Sequence, residues 1–579
     1  MPADTYTVSE SGAVIIYETP VLGYESNEEG NATYVGIRGM FDYPGNSAGD
    51  RYYGTRTLPY FLRFSGAQFN ISADSMKVDE EGNLILSSEL NDGELIRFSE
   101  AGSLILDKSL IVPHGAPVIQ PQIAASIIEP HTGYLRGVLG GRGVMGNRLY
   151  NRASNPQDTG SSIKPISVYG PGIDSGIMTA ATVFDDVPTF KYLSSSEEYT
   201  DGYGNEMPWP MNVTMEWVGR QSVREAIIES TNVVAVEALN ALGIDRSVEY
   251  LKKNGITSLT DGDYAYSPLA LGGLTHGIPP VEMASAFTTI ANDGVHVPYK
   301  TYTKVVDNNG NIILDNTEPE GERVFSEAAN YILRDILLEN INTNSWTGVA
   351  RVTDDNQGIP TFGKTGTSNS RQSVSFAGST PYYTGYIWIG CDLLFPLDSG
   401  SIAAAYIFKD IMTPLHAGFE NREFSGRPEG VVTAEIDGAS GLLPGDLSYY
   451  DPRGPQIHEE LFVEGTVPTE EDDAHERVQV CTVSGKLVGP YCPDSAVGSK
   501  VVLTRIDPTV DLSRFKYKIA DYWATLGPTD FCDVHKKPEP KPETSEPTKP
   551  QTDEPGDDTT PTEPEDPGDD DDTTTPTEP

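Results

Sequence analysis

From residue 536 to residue 579 the chain contains no aliphatic and no aromatic side chain. Pro, Thr, Asp, Glu and Lys make up nearly all of it, with fifteen acidic and four basic residues. Such a stretch cannot bury enough apolar surface to offset the entropy of ordering, so it is expected to be a disordered, hydrated tail. Any core has to come from residues 1–535. That is too long for one ordinary core, and a prior of one domain per ~150 residues suggests two to four. The tail carries −11 of a net charge of −45, so the rest of the chain is acidic as well. A field of that sign repels nucleic acid and anionic membrane and argues against a phosphate-tracking function.

Nothing in the chain reads as a membrane span, because no run of about 18 apolar residues occurs. Met1-Pro2-Ala3-Asp4 is not followed by a basic and then apolar leader. Residues 1–116 read as β-rich. Turn signals at Glu81-Gly82-Asn83, Asp92-Gly93 and Ala101-Gly102 separate Leu84-Ile85-Leu86, Leu95-Ile96-Arg97-Phe98 and Leu104-Ile105-Leu106, the pattern of a β-meander. Residues 117–425 alternate strand and helix signals. Ala124 to Ile128 predicts a strand, Val223 to Gly243 a helix ending at a glycine, Val281 to Ala291 another helix, and Tyr386 to Ile389 a strand. Ile402 to Ile407 fits either a buried strand or a helix. The length and mixed pattern suit one sizeable α/β or α+β domain. Residues 426–535 return to short segments punctuated by Gly, Pro and acidic residues.

Three short motifs carry chemistry. Ser161-Ser162-Ile163-Lys164 at the first turn of a helix puts a hydroxyl and an amine on one face. A serine becomes a useful nucleophile once a base takes its proton, and a desolvated lysine can be that base. Ser230-Thr231-Asn232 sets a hydroxyl and an amide two residues apart, fit to relay a proton and to hold a substrate carbonyl. Lys364-Thr365-Gly366-Thr367 on a strand edge offers a cation and hydroxyls to a carboxylate, with Thr367 facing the same way as Thr365 or as Lys364 depending on twist. The glycine there is expected to let substrate backbone come close. Each motif alone is explained as well by a helix cap, a polar turn or a surface strand. Their order, with 69 residues from Ser161 to Ser230 and 134 from Ser230 to Lys364, is much more specific.

That order, SxxK, SxN, KTG, is the signature of active-site serine penicillin-recognising enzymes. Asn151-Arg152-Ala153 ahead of Gly160-Ser161 resembles the run before the nucleophile in penicillin-binding proteins. Ile128 to Gly133 through Gly140-Gly141-Arg142, Pro210-Met211-Asn212, Leu271-Gly272-Gly273, Thr275 to Ile278 and Gly363 to Gly390 are similar to the same family. The resemblance is to the transpeptidase domain of class A, bifunctional penicillin-binding proteins of Gram-positive type, over about residues 117–425. It departs in two places. Ser373-Val374-Ser375 stands where the family has an aromatic, which leaves the packing there open. The upstream glycosyltransferase domain and anchor helix of such enzymes are not in this chain.

The resemblance implies an α+β fold like that of penicillin-binding proteins and β-lactamases, an antiparallel sheet with helices on both sides plus a helical subdomain. It implies a D,D-transpeptidase that cross-links peptidoglycan stem peptides ending D-Ala-D-Ala through a Ser161 acyl-enzyme, and that β-lactams acylate. Lys164 would be the general base, Ser230 would pass the proton to the leaving nitrogen, and Asn232 would orient substrate and Lys164. Lys364, Thr365, Gly366 and Thr367 would bind the donor carboxylate, and the N–H groups of Ser161 and Thr367 would form the oxyanion hole. A D,D-carboxypeptidase and a serine β-lactamase are the enzymatic alternatives, and a β-lactam or muropeptide sensor the non-enzymatic one. No cofactor is expected. The family works on the wall side of the bacterial membrane, so the gene product is expected to extend upstream or to borrow an exported partner, with membrane or divisome partners reached through that region.

Cys391 ends an apolar run and reads as a small buried hydrophobe. Cys481 and Cys492 lie eleven residues apart, and Cys532 and His535 form C-x-x-H. The cysteine pair and Cys532 resemble a C-terminal extension of some class A enzymes. A disulfide, a zinc set with His535, and unpaired thiols all remain open readings.

Overall fold

A computed structural model describes residues 3–17, 22–26, 32–44, 50–52, 56–58, 61–114, 118–143, 150–189, 207–354, 357–368, 371–392, 396–397, 400–506 and 526–537. The acidic tail from residue 538 onward therefore lies outside the described residues. A five-stranded sheet organises the middle of the chain. In spatial order its strands are Leu135–Leu139, Gln122–Ile128, Thr384–Gly390, Ser373–Ser379 and Phe362–Thr367, with each neighbouring pair antiparallel. The three inner strands are buried at every position. Both faces must then be covered, and side-chain alternation shows how. Ala124, Tyr386 and Trp388 point into one apolar cluster, which also takes in the helices Pro280–Ala291 and Glu327–Thr343. Ile123, Ala125, Ile387 and Ile389 point into another, formed with the helix Ile402–Leu415. The fold is α+β, with helices on both sides of an antiparallel sheet.

The remaining helices pack on the first face. Gly160–Ile163 is a 3-10 turn, Pro165–Tyr169 a π-helical turn and Gly170–Asp174 an α-helical end, and residues 160–173 are buried throughout. The helix expected from Val223 to Gly243 is in fact two. Val223–Glu229 ends at Ser230, which has φ 61° and ψ 35°, and Asn232–Leu242 starts anew. Apolar spacing continues across the break, which is why periodicity alone misses it. Ile402–Leu415 is helical, which settles the ambiguity of its first six residues.

Residues 1–116 are β-rich, but they do not form one meander. Leu84–Leu86 pairs with Met76–Val78 and with Val14–Ile16, while Ile96–Phe98 pairs with Leu104–Leu106 in a separate two-stranded sheet. The early strand Val14–Ile16 takes the neighbour position that a meander would give to the next hairpin. All of these strands still share one small core around Val14, Ile16, Leu84, Leu86, Ile96 and Leu104. Beyond the central domain come two long hairpins, Val431–Asp437 with Ile457–Val463 and His475–Cys481 with Val497–Leu503.

Candidate active site

The edge strand Phe362–Thr367 and the Gly160–Ile163 turn are in direct contact, and two glycines make that possible. Alternation directs Phe362, Lys364 and position 366 toward the first face. A Cβ at Gly366 would lie 2.1 Å from the Thr159 carbonyl oxygen and 2.3 Å from Ser375 Oγ. A Cβ at Gly160, whose φ is +53°, would lie 2.5 Å from the backbone of Thr367. The glycine of the third motif thus makes room for the turn that carries Ser161, which corrects the expectation that it clears space for substrate. Ser375 completes the joint. Its hydroxyl donates to the Thr159 carbonyl at 2.8 Å and reaches Ser162 Oγ at 3.1 Å. Ser375, in the stretch Ser373-Val374-Ser375 that departs from the family pattern, therefore pins the turn that carries Ser161 onto the sheet.

Arg152, of the Asn151-Arg152-Ala153 run, anchors the approach to that turn. Its guanidinium meets Asp392, just past the strand Thr384–Gly390, through Nε at 2.6 Å and Nη2 at 2.7 Å. Such a paired, two-pronged contact fixes orientation as well as distance.

In a 3-10 turn residues i and i+3 eclipse, so Ser161 and Lys164 stand in line. Ser161 is buried at 9% exposure, and Lys164 is wholly enclosed. Lys164 Nζ donates to the carbonyl of Ser230 at 2.8 Å, to the carbonyl of Thr231 at 3.2 Å and to Asn232 Oδ1 at 2.8 Å. None of these acceptors carries charge. Burial, helped by the nearby Lys364 cation, holds the Lys164 amine well below the usual lysine range. Lys364 is also wholly buried, and burial pushes it down to about 7 against the opposing pull of Glu229.

The second motif sits at the break between the two helices. Ser230 occupies the left-handed region, which a non-glycine residue adopts at a cost of order 1 kcal/mol. This turns two successive carbonyls, those of Ser230 and Thr231, toward one amine. The restart of the helix is secured from outside. Asn212 Oδ1 accepts from the backbone N–H of Asn232 at 2.9 Å and of Val233 at 3.3 Å, a cap that Thr231 itself does not supply. Asn232 Nδ2 donates to the Met211 carbonyl at 2.7 Å, which leaves its oxygen for Lys164. Asn212 Nδ2 in turn donates to Asp186 Oδ1 at 2.7 Å, and Asp186 Oδ2 accepts from Val218 N–H at 2.8 Å. Asp186 is buried, and that burial raises its carboxyl to about 6 despite these hydrogen bonds.

On the edge strand, Thr365 and Thr367 share the face opposite Lys364 and are half-buried. Ser368 N–H donates to the Ser373 carbonyl at 3.0 Å, in the same register as the pairs Gly366–Ser375 and Lys364–Ala377. Antiparallel ladders alternate, so the N–H groups of Thr365 and Thr367 point to the free edge, toward Gly160 and Ser161. The structure thus brings Ser161, Lys164, Ser230, Asn232, Lys364, Gly366 and Thr367 to one junction of turn, helix break and strand edge. Among the described residues, Ser230 Oγ makes no hydrogen bond to Ser161 or Lys164. Asn212 and Asp186 are supports that residue spacing does not expose. Asn212 stands in a family-like run, whereas Asp186, inside Val183-Phe184-Asp185-Asp186, carries no sequence signal.

Residues 124–413 match the family model described as penicillin binding protein transpeptidase domain. The chain belongs to the penicillin-binding protein transpeptidase family. Residues 427–477 match a second model, the C-terminal domain of penicillin-binding protein 1A. Among curated relatives, penicillin-binding protein 1A of Clostridium botulinum is 36% identical over 401 residues, 68% of this chain and 47% of the relative. Penicillin-binding protein 1F of Bacillus subtilis is 31% identical over 315 residues, 54% of this chain and 41% of the relative. The chain thus spans about half the length of the curated relatives that it matches. Among solved structures, penicillin-binding protein 1A of Haemophilus influenzae overlays with a TM-score of 0.49 at 20% identity, covering 75% of this chain and 64% of that one. Among the described residues no helix is long and apolar enough to cross a membrane.

The cysteine set is also brought together, at the far end of the C-terminal hairpins. Cys481, Cys492 and Cys532 are free thiols, and with His535 they place one ligand atom each within 4.8 Å of the others. Cys391 is buried in the second apolar cluster, as its apolar setting suggests.

Proposed function

We propose that this chain is a peptidoglycan D,D-transpeptidase that works through a Ser161 acyl-enzyme. The observation that carries the reading is the state of Lys164. It lies one 3-10 turn from Ser161, is fully enclosed, and is held by three neutral oxygens that accept from its amine. An enclosed amine without a counter-charge holds its proton less firmly than an ordinary lysine and can serve as a base. Ser161 Oγ attacks the carbonyl of the penultimate D-Ala as Lys164 takes the hydroxyl proton. The tetrahedral oxyanion is received by the N–H groups of Ser161 and Thr367, a contribution worth about 3 kcal/mol for one such donor. The proton passes by way of Ser230 to the nitrogen of the departing D-Ala, and the C–N bond breaks. An amine from a second stem then adds to the acyl carbon, loses its proton to the same relay, and releases Ser161 with a new amide bond. Asn232 keeps the Lys164 amine and the substrate in register. Lys364, charged below about pH 7, attracts the donor carboxylate, and the Thr365 and Thr367 hydroxyls hold it.

Such an enzyme meets its substrate on the wall side of the membrane, and β-lactams, which resemble the donor dipeptide, acylate the same serine. Incubation with a fluorescent penicillin should leave one stable label on Ser161, absent from Ser161→Ala. Presented with stem peptides and an acceptor amine, the protein should form the cross-linked dimer in excess over the hydrolysed monomer. A label elsewhere would move the nucleophile, and hydrolysis alone would make the enzyme a carboxypeptidase.

A further inference from the structure

Cys481, Cys492, Cys532 and His535 arrive from three stretches of chain. Cys481 closes the strand His475–Cys481, Cys492 lies in the loop before Val497–Leu503, and Cys532 and His535 belong to the segment 526–537. His535 Nδ1 lies 3.3 Å from Cys532 Sγ and 3.5 Å from Cys481 Sγ. Cys492 Sγ accepts from the N–H of Gly489 at 3.4 Å. The last segment docks through backbone bonds, Leu487 N–H to the Asp530 carbonyl at 2.9 Å and Cys532 N–H to the Leu487 carbonyl at 2.8 Å. A side chain on Gly489 would meet the Cys532 carbonyl at 2.9 Å, so the loop and the segment are in close contact.

Leu526 anchors the start of the segment in an apolar cluster with Ala439, Ala474 and Leu503, but apolar burial does not explain why the stretch around Cys532 and His535 stays in place. The cluster beneath it consists of Cys481, Ala496 and Cys532, with Cys492 at its edge. The larger side chains beside the cysteine, Phe531 and Val534, are 65% and 53% exposed. Three sulfurs and an imidazole nitrogen form the centre of this unit in place of hydrocarbon. We propose that they form a structural zinc site that staples the segment 526–537 to the C-terminal hairpin. Thiolate and imidazole donors select zinc over magnesium or calcium, and four protein ligands close the coordination sphere. Zn–S bonds of about 2.3 Å in a tetrahedron separate the sulfurs by about 3.8 Å, within the spread of the set. On binding, the three thiols release their protons to solvent, His535 binds as neutral imidazole, and the metal with its ligands carries one net negative charge. No oxidant is needed. A disulfide would need one, and it would leave one of these three sulfurs and the imidazole without a role.

The test uses the full-length chain purified without chelator from zinc-supplemented cells. Elemental analysis should give about one zinc per chain, and Cys391→Ser should leave that figure unchanged. Cys532→Ser with His535→Ala should lose most of it. Cobalt substitution should produce the intense absorption of a thiolate-bound tetrahedral ion. Because losing two ligands can also unfold the segment locally, the unmodified protein supplies a second reading. Stripping its zinc with a strong chelator should speed proteolytic cleavage between residues 504 and 537, and returning zinc alone should restore resistance. A metal-free protein whose mass shows a disulfide among Cys481, Cys492 and Cys532 would overturn the proposal. So would zinc retained in full by the double variant.

Discussion

Lys164 and His475 are both basic side chains buried in the protein, and their surroundings drive them in opposite directions. Every acceptor around the Lys164 amine is neutral, two backbone carbonyls and the Asn232 amide. His475 lies among carboxylates, with Nδ1 2.9 Å from Asp472, Nε2 3.0 Å from Asp451 and Asp437 at 3.9 Å. Burial disfavours charge at both sites. At Lys164 nothing opposes it, and the amine is held well below the ordinary lysine range. At His475 the hydrogen bonds that its ring donates to Asp451 and Asp472 overcome it and push the imidazole up to about 9. Basic side chains are therefore weakened as cations in the central domain and strengthened as cations in the C-terminal unit. The charge of the partners makes that choice, because depth is shared.

The largest effect that could break this contrast is on rate. Lys164→Ala should slow acylation by penicillin about 10²–10⁴-fold, the usual contribution of a general base. Its melting temperature should fall modestly, because the Ser230, Thr231 and Asn232 oxygens lose their donor, a loss of about 1–3 kcal/mol. A variant with a normal rate would remove the lysine from the chemistry. His475→Ala should behave in the reverse way. It leaves Asp437, Asp451 and Asp472 facing one another with only Arg453 nearby, so the C-terminal unit should lose about 3–5 kcal/mol. Acylation of Ser161 should stay close to normal while the central domain remains folded. An unchanged melting curve would mean that the imidazole is not charged in the folded protein.

Smaller effects sharpen the comparison. Asp186→Asn leaves a single oxygen for two donors, Asn212 and Val218, at a cost of about 1–3 kcal/mol for the one left unmet. Loosened Asn212 should let Asn232 drift from Lys164. The rate should fall several-fold and its pH profile should move toward lower pH, because the amine loses an oxygen that favours its charged form, a shift that simple destabilisation would not give. An unmoved profile would separate Asp186 from the lysine. The least of the expected effects is on stability against pH. The folded value of His475 is raised from 6.5 to about 9, so its contribution is complete below about pH 6.5 and is lost as pH rises through about 9. Asp451 and Asp472 are depressed, and their contribution is lost as pH falls below the ordinary carboxylate range near 4. Unfolding of the C-terminal unit should therefore be hardest at about pH 5–6 and ease on either side. A midpoint that does not move between pH 6 and pH 10 would contradict the charged histidine.

Much of the fold could be read from residue pattern. The runs Ala124 to Ile128 and Tyr386 to Ile389 announce strands that the structure contains, and Val281 to Ala291 lies within a helix of twelve residues. The helix break at Ser230 could not be read, because Ile227, Ile228, Val233 and Val234 keep a helical rhythm through it. Its cause lies in Asn212, twenty positions upstream, and in the carbonyls that Lys164 demands. The pairing of Val14–Ile16 with Leu84–Leu86 was hidden for the same reason, since local turn signals favour the nearest hairpin and are silent about a strand 70 residues away. At the site, motif order named residues that the structure brings together, but it gave another reason for Gly366 and no hint of Asp186. The cysteines and His535 could be counted in advance. Their convergence on one point required the docking of the segment 526–537, which no spacing encodes.

A Lys164 amine held below the ordinary lysine range that takes the proton of Ser161 has a kinetic signature. It is tested most directly by the second-order rate of penicillin acylation, followed from about pH 5 to about pH 10 in the wild-type protein and in Lys164→Ala. The wild-type rate should climb with pH along a single ionisation well below the 10.5 of an ordinary lysine, with the label on Ser161. That ionisation should vanish with the lysine. The same pH profile in both proteins, or an ionisation at the ordinary lysine value, would contradict the account.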